Sequence, residues 1–160
     1  MKQYFVALSL FLSLAVVQGC KPTTQIVSKP HTKYLPAEFQ NLYFGMPLAD
    51  FKTIKKEVKM ESDGASFRLI ATEKDMNAQV REVTYYFANT NTSVNPLYEI
   101  IIEYKDVFYR DQVASKLYGA PNSGDEWRFD SGEGYQIMIW RFETKLVIAA
   151  KMKGTEWENE

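Results

Sequence analysis

The run Leu97–Tyr104 constrains the fold of this chain more than any other stretch. Side chains alternate between faces along a strand, so Tyr98, Ile100, Ile102 and Tyr104 are predicted on one face, with Leu97, Glu99, Ile101 and Glu103 on the other. One apolar face and one mixed face mark an antiparallel sheet that is covered on one side only. The ten Tyr, ten Phe and three Trp residues also favour a sheet as the main buried element. Other runs repeat the pattern. Phe67, Leu69 and Ala71 alternate with Ser66, Arg68, Ile70 and Thr72, and residues 74–77 read as a hairpin loop. Val83, Tyr85 and Phe87 then alternate with Glu82, Thr84 and Tyr86. Downstream, Trp127 and Phe129 open a strand, residues 131–134 turn it, and strands follow over 135–142 and 146–153.

Two helices punctuate these strands. Pro47 suits a first helical position, where its missing N–H has no partner to lose, and Asp50 suits the positive end of the helix dipole. Phe51, Ile54 and Val58 share a face, so the first helix is predicted over residues 47–58. Lys52, Lys55, Lys56 and Lys59 are expected on a solvated face. The second is predicted over Val107–Tyr118, capped by Asp106, with Tyr109, Val113 and Leu117 as its inner stripe and Gly119 and Pro121 ending it. The expected architecture is α+β: about six antiparallel strands in the order helix-βββ-helix-βββ, with two short helices on one face. The repeated order raises the expectation of an architectural duplication.

The N-terminus supplies a location. Lys2 precedes an apolar run from Tyr4 to Val17, broken only by Ser9 and Ser13, and Val17-Gln18-Gly19-Cys20 follows. A positive start, a hydrophobic middle and small residues at a cut compose a secretory signal. The apolar run is shorter than the roughly 20 residues a spanning helix needs. These residues resemble the lipoprotein signal of bacteria, with Gln18 departing from the usual small residue before the glycine. The resemblance implies that residues 1–19 are removed, that Cys20 carries the lipid, and that the chain is held to a membrane by it. Lys21 after the cysteine resembles the outer-membrane sorting class, which implies the outer membrane; the periplasmic face is the side expected.

Residues 20–36 are then a lipidated Cys and flexible tether, proline-rich and without apolar period, reaching at most ~55 Å and about 20–24 Å on average. Residues 37–154 form one domain, and residues 155–160 a frayed acidic tail. Cys20 is the only cysteine, so no disulfide staples the domain and the core alone must stabilise it.

Phe44-Gly45-Met46-Pro47-Leu48 and Leu117-Tyr118-Gly119-Ala120-Pro121 resemble, over about ten residues, motifs of small barrel-assembly-machine lipoproteins. The helix-then-sheet order is similar to the repeat of beta-lactamase inhibitor proteins. Those resemblances imply a non-enzymatic domain that binds other proteins.

Catalytic chemistry has few carriers. The only histidine, His31, lies in the expected tether, where nothing fixes a nucleophile beside it. Without further Cys or His no zinc site of that type can form. Glu99 and Glu103 are four residues apart on a strand, about 13 Å, too far for paired glycosidase carboxylates. Asp125, Glu126, Asp130 and Glu133 do not follow a calcium loop, because Trp127 and Phe129 fall at ligand positions. Gly132 and Gly134 lack the rest of a dinucleotide loop. The 19 basic and 20 acidic side chains nearly cancel, so no like-charged face of the size nucleic-acid binding requires is announced, and no nucleic-acid partner is expected. The chain therefore reads as no enzyme, with no cofactor and no metal.

The partners expected are the membrane, through the lipid, and an envelope protein. Tyr86, Trp127 and Trp140 are the candidate partner-binding residues, since exposed aromatics concentrate interface energy. The alternative is a carrier of a small apolar ligand or lipid in an aromatic-lined cavity between sheet and helices.

Overall fold

In the computed structural model, residues 30–61, 64–89 and 94–160 are described. The expected signal segment, Cys20 and the expected tether up to residue 29 lie outside them. Strands β1 (Lys59–Glu61), β2 (Arg68–Lys74), β3 (Val80–Ala88) and β4 (Leu97–Tyr104) form one meander. A second comprises β5 (Trp127–Asp130), β6 (Gln136–Phe142) and β7 (Lys145–Lys151). Helix α1 (Leu48–Ile54) precedes the first meander and α2 (Val107–Tyr118) links the two. All seven strands join one antiparallel sheet in the order β1-β2-β3-β4-β7-β6-β5, closed by the pairing of β4 with β7. The class is α+β, but among the described residues there are seven strands and not six, ordered helix, four strands, helix, three strands. The added strand is β1.

Both helices lie on one face of the sheet. The core beneath them holds Val83, Tyr85, Phe87, Ile100, Ile102, Ile137, Ile139, Leu146 and Ile148, together with Phe51 of α1 and Ala114 of α2. Phe51 inserts between the rings of Tyr85 and Phe87, at 4.8 and 4.9 Å between centroids. Burying one such ring contributes about 1.5–3 kcal/mol.

Helix α1 is shorter than its apolar spacing predicts. Pro47 caps it from outside, at φ −58° and ψ 141°, and bridges to Pro96. Gly45, at φ +85°, makes the preceding turn, its N–H donating to the Leu97 carbonyl at 2.7 Å. The chain leaves the helix at Lys55, whose ammonium turns inward to Glu73 at 2.8 Å. The same Glu73 oxygen accepts the Tyr85 hydroxyl at 2.5 Å. Burial, then that carboxylate, pushes the Tyr85 hydroxyl far above its ordinary pKa, so it stays a donor. Lys55 is thus a core-edge residue and not part of a solvated lysine face, and Ile54 is exposed.

Helix α2 matches its predicted bounds. The Asp106 carboxylate accepts the Phe108 N–H at 2.6 Å, and Gly119, at φ +69°, ends the helix. Its buried residues are Ala114 and Tyr118, with Val113 and Leu117 packed beside them, whereas Tyr109 is exposed. The inner stripe is therefore rotated from Tyr109 toward Ala114 and Tyr118. The Tyr118 hydroxyl donates to the Tyr34 carbonyl at 2.7 Å.

That bond shows where the domain begins. Pro30–Tyr34 and Ala37–Phe39 form 3₁₀ turns, Leu35 and Phe39 are buried, and the Tyr34 ring stacks on Phe129 at 4.4 Å. Residues 30–36, expected in the tether, belong to the domain.

Candidate functional site

The sheet face opposite the helices is where the outward side chains gather. Register places Ile70 beside Tyr86, Tyr86 beside Glu99, Glu99 beside Ala149, and Ala149 beside Met138. Trp140 stands next along β6, across from Val147. Directly opposed residues of antiparallel strands share a face, so this row crosses the sheet from β2 to β6.

A bulge alters the expected alternation in β4. Phe87 pairs with Leu97 while Tyr86 pairs with Glu99, which leaves Tyr98 as the extra residue. Leu97 consequently joins the helix-covered core, and Tyr98 moves to the open face with Glu99. The Tyr98 ring lies 6.4 Å from that of Tyr86. Period-two reading placed Tyr98 with Ile100; the inserted residue reverses it.

The open face is not bare. After β7 the chain turns back and residues 154–160 lie against the sheet, where a frayed tail was expected. The Trp157 indole N–H donates to the Glu99 carboxylate at 3.1 Å, and its ring meets Trp140 edge-on at 5.2 Å. The Glu156 carboxylate accepts the Tyr98 hydroxyl at 2.8 Å and Arg68 Nη1 at 3.3 Å. Arg68 in turn covers the Tyr86 ring at 4.9 Å. This strap holds Tyr98 to 1% and Glu99 to 4% exposure. By contrast, its backbone hydrogen bonds are local: Thr155 N–H to Met152, Glu158 to Thr155, Glu160 to Trp157. Side chains, not a ladder, hold it down.

Burial lifts the Glu99 carboxyl from 4.5 to about 7; the Trp157 donor and Arg68 pull it down, and the Glu156 carboxyl pushes it up. Burial and Glu156 likewise keep the Tyr98 hydroxyl protonated. Glu99 is thus no solvated strand residue, while Glu103 is ion-paired with Arg81 at 2.8 Å.

Beside the strap is a groove of about 220 Å³, lined by Glu126, Arg128, Met138, Trp140, Trp157 and Glu160. A second, more polar depression of about 210 Å³ runs between Glu61, Thr72, Thr84, Ile101 and Lys145.

Of the three aromatics predicted to bind a partner, the structure places two on this face. Tyr86 and Trp140 stand three strand spacings apart, about 14 Å, with the strap between them. Trp127 is separated from both: it is 1% exposed on the helix side, its indole N–H donating to the Gly119 carbonyl at 3.2 Å. It packs against Tyr118 and under Arg141, as part of the core. Alternation could not assign it, because a four-residue strand offers too few positions.

Sequence reading missed Glu99, Arg68, Glu156 and Trp157 as one cluster. The available signal was a single tryptophan in an otherwise polar, acidic terminal segment.

Three acidic residues of the β5–β6 region are engaged locally. Asp130 accepts the Gly132 N–H at 2.8 Å, Glu126 pairs with Arg128 at 3.2 Å, and Glu133 accepts the Tyr135 hydroxyl at 3.2 Å. Among the described residues no group of three or more His, Cys, Asp or Glu side chains gathers as for a metal ion, and no helix is long and apolar enough to cross a membrane. No family model matches the chain, and the comparisons with curated proteins and with solved structures found no match.

Proposed function

We propose that this chain is a lipid-anchored, periplasm-facing lipoprotein of the outer membrane, and that its domain is a non-catalytic module binding another envelope protein. Location rests on Val17-Gln18-Gly19-Cys20 and on Lys21. The observation that carries the binding role is the sheet face left uncovered by helices, where Tyr86 and Trp140 stand to either side of the Glu99 carboxyl beside a groove of about 220 Å³. Tyrosine, tryptophan and arginine are the side chains enriched at interface centres, and Tyr86, Trp140 and Arg68 stand on this face.

Because residues 30–36 belong to the domain, only residues 21–29 remain between it and Cys20. Nine residues reach at most ~30 Å, and about 15–18 Å on average if flexible. A partner is therefore sought within a few nanometres of the bilayer. The carrier alternative has less support: aromatic rings fill the space between α1 and the sheet, and the depressions described lie on the opposite, polar face.

Two measurements test the reading. Intact mass of the envelope-extracted protein should show loss of residues 1–19 and gain of acyl chains at Cys20; a full-length, unacylated and freely soluble chain refutes the anchor. Chemical crosslinking in intact envelopes should recover one defined protein partner. Its absence across growth conditions refutes the binding role.

A further inference from the structure

We propose that the strap at residues 154–160 is a built-in occupant of the partner-binding surface, and that the partner presents a peptide segment with a carboxylate directly before an indole, which exchanges with Glu156 and Trp157. This deepens the binding role proposed above and rests on it.

Three observations carry it. First, the strap is held as a ligand is held. Its two consecutive side chains enter two prepared positions: Glu156 between Arg68 and Tyr98, Trp157 between Glu99 and Trp140. Second, its backbone bonds are local, reaching no farther than Met152, so lifting it breaks no strand pairing. Such a segment opens at far less cost than the sheet beneath it. Third, the surface it covers is ill-suited to permanent burial. A cover needed only to hide an apolar sheet would meet an aliphatic residue at position 99; here it meets a carboxyl group that is 4% exposed with another carboxyl beside it. Buried acids are expensive to keep and recur where a group must be recognised.

The surface also dictates its occupant. Arg68 and the Tyr98 hydroxyl donate, so they take a carboxylate; the Glu99 oxygen accepts, so it takes an N–H; the Trp140 face takes a ring. The groove lined by Glu126, Arg128 and Met138 continues from the indole position and gives a longer segment somewhere to run. A partner side chain order of acid then tryptophan satisfies all of these at once, as residues 156 and 157 do.

The test uses the full chain in detergent and a fluorescent synthetic heptapeptide copying residues 154–160. In the wild type the strap competes from an effective concentration near millimolar, as short tethers give. Trp157→Ala removes that competition, and so does Trp157→Phe, which keeps a ring and loses the indole donor. The peptide should bind either variant saturably and at least tenfold more tightly than wild type. A peptide with alanine in place of its first glutamate, or the double variant carrying Arg68→Ala, should lose that gain. Circular dichroism establishes that each variant is folded, and Trp157→Phe serves if Trp157→Ala is not.

Equal affinity for wild type and folded variants, or no binding to either variant, overturns the proposal. A wild-type dimer that Trp157→Ala dissolves also overturns it, since the occupant is then a second copy exchanging straps. If the peptide fails while envelope crosslinking still recovers a partner, this surface assignment falls and the binding role stands.

Discussion

Glu99→Gln isolates the cost of placing an acid beneath the strap. In the unfolded chain this carboxyl titrates near 4.5, and in the folded domain near 7. The folded state therefore holds the proton more tightly, and the group's contribution to stability is fully present below pH 4.5. It is lost as pH rises to 7, after which the ionised carboxylate remains a constant cost. A tenfold change in proton affinity is worth about 1.36 kcal/mol, so the difference between the two ends of that window is about 3 kcal/mol. With Glu99 only 4% exposed, solvent screening takes little from this figure.

Glutamine keeps an oxygen to accept the Trp157 indole and cannot ionise. Its amide can also donate toward Glu156, the neighbour that raises the native carboxyl. The variant should match wild type near pH 4.5 and exceed it by about 3 kcal/mol at pH 8. In urea unfolding followed by tryptophan fluorescence, that appears as a midpoint advantage growing with pH at unchanged slope, about 1–3 M for a slope of 1–3 kcal/mol/M. A wild-type minus variant difference that is flat from pH 4.5 to 8 would refute the reasoning, because Glu99 would then be solvated and the strap open.

Two further substitutions probe other elements. The Tyr104 hydroxyl is buried without a hydrogen-bond partner among the described residues, so Tyr104→Phe should stabilise the domain by about 1 kcal/mol in the same assay; a loss above that magnitude would reveal a partner for it. The Asn122 side chain donates to the Arg128 carbonyl at 3.0 Å and accepts its N–H at 2.8 Å, occupying the free edge of β5. Asn122→Ala should cost about 1 kcal/mol and promote self-association in sedimentation velocity, and a monodisperse variant would refute the edge-guarding role.

How much of this was readable beforehand varied with local redundancy. Helix α2 carries several independent signals, Asp106 before it and Gly119 with Pro121 after it, and both bounds were recovered. Strand β4 was bounded correctly by its alternation. Its faces were not, because nothing in Leu97-Tyr98-Glu99 announces the bulge; that follows from pairing with β3. The spacing of Phe51, Ile54 and Val58 is helical, yet the Lys55–Glu73 contact, 18 residues apart, ends the helix first. Strand β1 has three residues and no period to detect, so the predicted sheet lacked it. The strap was read as a fraying end because its composition is polar. Its order comes from Arg68, Tyr98 and Glu99, all remote in sequence. Only Tyr86 and Trp140 of the predicted aromatics reached the open face, and alternation alone could not have separated them from Trp127.

The pairing of β4 with β7 has a kinetic consequence. Within each meander, neighbouring strands are also neighbours along the chain, so hairpin closure spans short loops and is fast. The β4–β7 seam, five residue pairs from Glu99–Ala149 to Glu103–Lys145, is the one junction that must wait for the intervening helix and hairpins. Docking of two half-sheets along that line then sets the folding rate. Damage at Ile100 or Ile148 slows assembly, while damage out at β1 or β5 chiefly hastens its undoing.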